Sequence, residues 1–168
     1  FNLKTGEKTL FGTSQGLPHN DIRFVYLDSY KNPWVATKSN GIFSLNDSLK
    51  YIIEGTFKLD FSSITEDLDG NMWASTYGDG VFKFSKDTIQ YFSTDNGLKS
   101  NYCYSLIADN AGKIWVGHRL ALSCIDTKTL EIKTYDKEDG ITGDCNYNAL
   151  IKQESGVLLF GTTNGIIR

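Results

Sequence analysis

The sequence predicts an all-β chain assembled from four copies of one antiparallel unit, and three observations carry the prediction. Tryptophans stand at Trp34, Trp73 and Trp115, 39 and 42 residues apart, and Leu159 takes the same slot 44 residues further on. Each slot has the same surroundings. Six residues earlier come Asp28, Asp67, Asp109 and Gln153, and two residues later come the small residues Ala36, Ser75, Gly117 and Gly161. Apolar runs of four to six residues, rich in β-branched and aromatic types, alternate with Gly, Asp and Asn, and no stretch shows a helical period. Four short strands recurring about every 40–45 residues are the signature of a propeller blade. The expected architecture is a β-propeller fragment of about four blades, each of four antiparallel strands.

The elements follow in order. Residues 1–11 read as the outer strand of a preceding or closing blade, and blades follow over 20–60, 61–93 and 102–136, with a terminal, incomplete blade over 146–168. Strands are expected near 22–27, 33–37, 41–46 and 49–53, then 61–66, 71–76, 80–85 and 88–92, then 103–108, 113–117, 121–126 and 130–135. The tryptophan is expected to plug the space between blades, because a single blade cannot cover both of its apolar faces. The small residue two positions on, Gly117 or Gly161 for example, allows close approach near the axis. A second motif joins the blades: Phe11, Phe92 and Tyr135 each precede a glycine by five residues (Gly16, Gly97, Gly140), and Asn20 and Asn101 close it in two copies. In the repeat frame the chain ends about where it begins. Residues 8–11 are therefore expected to pair with 165–168 in one small ring, to pair between two chains of a homodimer, or to leave the arc open.

Composition removes several classes of function. A net charge of −3 and a pI near 5.3 argue against a nucleic-acid backbone as partner, which calls for a clustered basic face. No apolar run approaches the length of a membrane span, and the opening FNLKTGEKTLF lacks the basic start and apolar core of a signal peptide. Cys103, Cys124 and Cys145 form no metal-binding spacing and leave at least one thiol unpaired. They read as buried small apolar residues or as one disulfide plus a free thiol. Asp67, Asp69 and Asn71 resemble the opening of a calcium loop, but DSYKN and DNAGK occupy the same place with too few carboxylates, so a capped turn is the better reading. Neither a metal nor a cofactor is expected.

The string D-x-x-G-x-x-W-x-x-(S/T), with G-L-x-x-N upstream, resembles the two-component regulator propeller repeat. DLDGNMWASTYGDGVFKF carries it best, DNAGKIWVGH and DSYKNPWVATKSNGIF closely, and DGITGDCNYNALIKQESGVLLFGTTNGIIR resembles that family's terminal blade. The resemblance implies the periplasmic sensor region of a hybrid two-component histidine kinase of a glycan-using gut bacterium. There, larger propellers precede a β-sandwich, a membrane helix, a kinase and a response regulator. Kinase motifs are absent from this sequence, so the segment itself is not expected to be an enzyme. The alternatives are a propeller-fold lyase using a histidine and a divalent metal, a glycan-active enzyme with paired carboxylates, or a purely structural blade set.

In a propeller, the blade-to-blade loops and the loops between second and third strands emerge on one face. Here that face would carry His19, Asn20, Lys38, Asn40, Tyr77, Asp79, Lys99, Asn101, His118, Arg119, Asp144, Asn146 and Asn164. Amides, carboxylates and aromatic rings together suit an oligo- or polysaccharide. The candidate ligand residues are Tyr77, Asp79, His118, Arg119, Asn101 and His19. In the third copy His118-Arg119-Leu120-Ala121-Leu122 replaces the usual T-x-x-x-G, so its loop is expected to depart from the standard turn.

Overall fold

The computed structural model describes residues 3–8, 10–17, 19–38, 41–45, 49–51, 59–86 and 88–168. Among them are four separate antiparallel meanders. The first is β1 (Ile22–Leu27), β2 (Pro33–Thr37), β3 (Ile42–Leu45) and β4 (Leu49–Tyr51); the second is β5 (Phe61–Glu66), β6 (Met72–Thr76), β7 (Val81–Phe84) and β8 (Ile89–Phe92). The third is β9 (Ser105–Ala108), β10 (Lys113–His118), β11 (Ala121–Asp126) and β12 (Ile132–Tyr135), and the fourth holds β13 (Cys145–Lys152), β14 (Leu158–Thr162) and β15 (Gly165–Ile167). Expected strand residues 46, 52 and 53 lie outside the described residues. β9 starts two residues later than expected because Tyr102 and Cys103 pair backward with the second blade. Tyr102 bridges Tyr77, and the Cys103 amide donates to the Thr76 carbonyl at 3.0 Å.

The recurrent aspartate is the keystone of each first hairpin. Asp67 Oδ1 accepts the amides of Asp69 (3.0 Å) and Asn71 (2.8 Å), while its Oδ2 accepts the Trp73 indole N–H at 2.8 Å. Asp28 does the same for Tyr30, Asn32 and Trp34, and Asp109 for Ala111, Lys113 and Trp115. One carboxylate thus closes the turn and aims the ring, which is why the Asp and Trp recur six residues apart. At Asp28 burial pushes the carboxyl up, but the indole and the turn amides outweigh it and hold it below the ordinary value. The turn residue three after the aspartate, or after Gln153 in the fourth copy, is left-handed throughout: Gly70, Gly112 and Gly156 at φ 80°, 78° and 86°, with Lys31 at 67° in the one copy that lacks the glycine. The Asp67 carboxylate is therefore committed to the turn and to the indole, and no group of metal-ligating side chains forms among the described residues.

Burial between blades follows from the same repeat. Trp34 packs on the core of Ala36, Ile42, Phe61, Ile64 and Met72; Trp73 sits inside that of Leu98, Cys103, Leu106, Ile114 and Val116; Trp115 packs on Leu122, Ile141, Cys145 and Phe160. Each tryptophan faces the following blade. Trp73, flanked by blades on both sides, is fully buried and stacks on Phe92 at 5.3 Å. Gly117 lies where a Cβ would run into Ser105 Oγ and Cys145 Cβ, so its smallness is set by its own blade's first strand together with the fourth blade's. The three cysteines are buried free thiols. The connecting motif forms a 3-10 turn (Thr13–Gln15, Thr94–Asn96, Lys137–Asp139) ended by Gly16, Gly97 and Gly140 with left-handed φ. Leu17, Leu98 and Ile141 then plug the core.

The two end blades differ from the middle ones. Val25 is 57% exposed, whereas its counterparts Ile64 and Leu106 are each 2% exposed under a neighbouring blade. Ile151 and Ile166 on the opposite end are exposed too. An outer strand is expected over 1–11; among the described residues, 3–8, 10 and 11 are turn and irregular chain, and β15 pairs with β14 alone among the described strands. A strand needs a ladder to satisfy its amides, and none of the described strands offers this segment one. The described residues form three four-stranded blades and a three-stranded fourth, with no ladder joining the first blade to the last.

A tyrosine-lined cleft at the axis

The first strands of the blades line the axis, and at their loop end they enclose a cleft of about 320 Å³. Its walls are Arg23 from β1, Asp60, Phe61 and Ser62 at the start of β5, Tyr77 after β6, and Tyr147 and Asn148 from β13. The last two reach it through a bulge. Cys145 pairs with Thr162 and Leu150 with Phe160, so β13 spends five steps where β14 spends two. The extra residues are thrown toward the axis, with Asn148 at φ 50°. The Asn148 amide donates to the Tyr104 carbonyl at 3.2 Å and its Nδ2 to the Ser62 carbonyl at 2.9 Å, so the fourth blade is tied to the second across the third.

Four tyrosines pack around this bulge. Tyr77 lies 5.0 Å from Tyr102, 5.9 Å from Tyr104 and 5.6 Å from Tyr147, centroid to centroid, and Tyr104 lies 5.0 Å from Tyr147. Tyr77, Tyr102 and Tyr147 remain exposed, which leaves aromatic surface at the cleft mouth. Desolvation, with Tyr77 close by, pushes the Tyr147 and Tyr104 hydroxyls above the ordinary tyrosine value, so both are neutral donors at physiological pH. On the opposite wall Arg23 Nε sits 3.8 Å from a carboxylate oxygen of both Asp21 and Asp60.

The residues singled out from sequence are placed as follows. Tyr77 lines the cleft. Asp79 is exposed on the same loop, its amide donating to Thr76 Oγ1. Asn101 spends its Oδ1 on the Thr94 amide at 2.9 Å, closing the connecting turn as Asn20 does for Thr13. His19 is exposed, and its Nδ1 accepts the Asp21 amide. Arg119 is exposed and pairs with Asp144 at 3.6 Å. Asn40 lies outside the described residues.

His118 differs from the expectation: it is fully enclosed and presents no surface to a ligand. Its Nδ1 bonds to the Tyr102 carbonyl at 3.0 Å and its Nε2 to Ser123 Oγ at 2.9 Å. The reason is the residue at the loop's first corner. In the first two blades Thr37 and Thr76 donate to a glycine carbonyl four residues on. The third blade has one residue fewer: His118 pairs directly with Ala121 across Arg119-Leu120, with Leu120 at φ 52°. The fourth blade has the same two-residue loop and keeps the threonine bond, Thr162 Oγ1 donating to the Gly165 carbonyl at 3.0 Å, so it is the longer imidazole that spans to neighbouring chain instead. Burial pushes its pKa down to about 4.

Sequence reasoning missed Arg23, Asp60, Ser62, Tyr102, Tyr104, Tyr147 and Asn148. The one available signal was the tyrosine-asparagine clustering of N-Y-C-Y (101–104) and C-N-Y-N (145–148), which reads equally well as strand.

Comparison with known proteins agrees with this geometry. Residues 97–119 match the family model of the two component regulator propeller. The chain is 25% identical over 163 residues to histidine kinase P4 of Formosa agariphila, covering 90% of this chain and 12% of that protein. Among solved structures, it superposes with a TM-score of 0.83 and 25% identity on the extracellular domain of the hybrid two component system BT3049 of B. thetaiotaomicron, covering 95% of this chain and 23% of that one. It also matches the extracellular domain of BT4673 of the same organism (TM-score 0.74, 28% identity, 89% and 23% covered). The chain thus spans less than a quarter of each of these relatives. Virginiamycin B lyase of Staphylococcus aureus shares the fold alone, with a TM-score of 0.68 at 16% identity. With the carboxylate-held tryptophan hairpin in three blades and the Gly97-Leu98 link between the second and third, the chain is built of repeats similar to the two-component regulator propeller repeat, which the family model matches at residues 97–119.

Proposed function

We propose that this chain is part of the extracytoplasmic sensor region of a hybrid two-component histidine kinase, and that it contributes a carbohydrate contact at the axial cleft. The observation that carries the reading is the cleft itself. Exposed tyrosine rings offer the C–H face of a sugar a stacking surface, and amide, hydroxyl, guanidinium and carboxylate groups surround them. The relatives described as extracellular domains of two-component systems support the location, periplasmic in a bacterium with two membranes. Among the described residues no helix is long and apolar enough to cross a membrane. The open faces at Val25 and Ile151 suit further blades of the parent chain, with a second copy as the alternative cover.

A lyase would have to work through His19, which is exposed with its Nδ1 on the Asp21 amide, because His118 has no exposed atom with which to reach a substrate proton. The test is signalling by the complete parent protein in membrane vesicles, with phosphotransfer measured against a panel of oligosaccharides. A saccharide-dependent change that Tyr77→Ala and Tyr147→Ala abolish is the expected result. Phosphotransfer indifferent to every saccharide refutes the carbohydrate reading.

A further inference from the structure

One residue of the cleft wall, Asn148, carries a buried polar atom that the chain leaves unpaired. Among the described residues two buried side-chain oxygens lack a hydrogen-bond partner, Ser105 Oγ and Asn148 Oδ1, and of these only Asn148 lines the cleft. The amide orientation is set by its neighbour: Nδ2 donates to the Ser62 carbonyl at 2.9 Å, and the flipped group would set two acceptors against each other. Asn148 is also one of four non-glycine residues with left-handed φ among the described residues. Buried acceptors are normally satisfied, and strained backbone persists where the surroundings over-determine it. Here both fall on one residue at the wall of a cleft.

Resting on the sensor reading above, we infer that the cleft takes a non-anionic saccharide, with a ligand O–H or N–H donating to Asn148 Oδ1 and a sugar C–H face against Tyr147. Two features set the charge class. A carboxylate or sulfate oxygen only accepts hydrogen bonds, so it meets Asn148 Oδ1 acceptor to acceptor. The guanidinium that would otherwise bind it, Arg23, already stands between Asp21 and Asp60, both at 3.8 Å, leaving one net negative charge on that wall. Arg119 on the same face is paired with Asp144, and Lys99 with Asp136 at 2.8 Å. Asp79 adds a further carboxylate on the Tyr77 loop.

The experiment is a glycan array of gluco-, galacto-, manno- and xylo-oligosaccharides beside uronate- and sulfate-bearing ones, probed with the protein, each hit then titrated by calorimetry. Asn148→Gly suits the left-handed backbone and removes only the side chain; Tyr147→Ala removes the ring. Non-anionic hits weakened at least tenfold by both variants, with the circular dichroism spectrum retained, are expected. Should Asn148→Gly not fold, the wild-type Asn148 side-chain amide resonances must shift on adding the hit. Anionic hits lost in Arg23→Ala overturn the charge class while leaving the carbohydrate sensor standing. Hits indifferent to Asn148→Gly and Tyr147→Ala overturn the assignment to this cleft, and an array without hits overturns both readings.

Discussion

Acidification is the sharpest probe of the third blade. His118 is enclosed, and desolvation holds its folded pKa at about 4, whereas an unfolded histidine titrates near 6.5. Between those values the unfolded chain binds the proton and the folded chain does not, so stability falls as pH falls. Through the whole window the loss is about 3 kcal/mol; from pH 7 to pH 5 alone it is about 2 kcal/mol. The upper part of the window isolates the imidazole, because the perturbed carboxylates are held low. Asp126 is held there by the Thr129 amide and Lys113, and Asp136 by Lys99. The assay is urea unfolding at pH 7 and pH 5 for the wild type and for His118→Gln, which keeps a donor and an acceptor but does not titrate. The variant is expected to be less stable at pH 7, having lost the fit to Tyr102 and Ser123, and to lose less on acidification by about the stated 2 kcal/mol. Equal losses in both proteins, or an imidazole titrating above pH 6 by nuclear magnetic resonance, would refute the reasoning.

Other perturbations follow from the repeat. Trp73→Ala, at a fully buried ring held by Asp67, should lower unfolding free energy by about 3–5 kcal/mol in denaturant melts, and half-buried Trp34→Ala by clearly less. Lys31→Gly should raise stability by a few tenths to about 1 kcal/mol, because relief of the left-handed lysine exceeds glycine's extra unfolded freedom; a lower melting temperature would contradict it. Gly117→Ala should destabilise by about 1–3 kcal/mol through overpacking against Ser105 and Cys145, and Cys145→Gly added to it should recover part of the loss.

The sequence by itself determined the blades. A tryptophan every 39 to 44 residues, small residues two positions on, and Gly or Asp at the turns are local signals, and the strands of the second and third blades fall within a residue or two of where these signals place them. They are legible because hairpin pairing and turn conformation depend on neighbours in sequence. What the aspartate does was less visible: it recurs with the tryptophan because one carboxylate bonds both turn and ring, a geometry that spacing suggests but does not specify.

Only the tertiary structure decided the site. Tyr77 and Tyr147 stand 70 residues apart and meet because β13 bulges, and nothing in CNYNA marks a bulge, since the left-handed residue is an asparagine rather than a glycine. His118 looked like a loop ligand, yet it occupies the slot where threonine bonds a loop carbonyl elsewhere, and its longer ring reaches inward to Tyr102 and Ser123. Burial is a property of what packs alongside: Val25 and Ile64 hold the same place in the repeat, and only Ile64 has a blade against it. Local pattern therefore sets each blade, while exposure, pairing and the cleft are set by contacts between blades far apart in the chain.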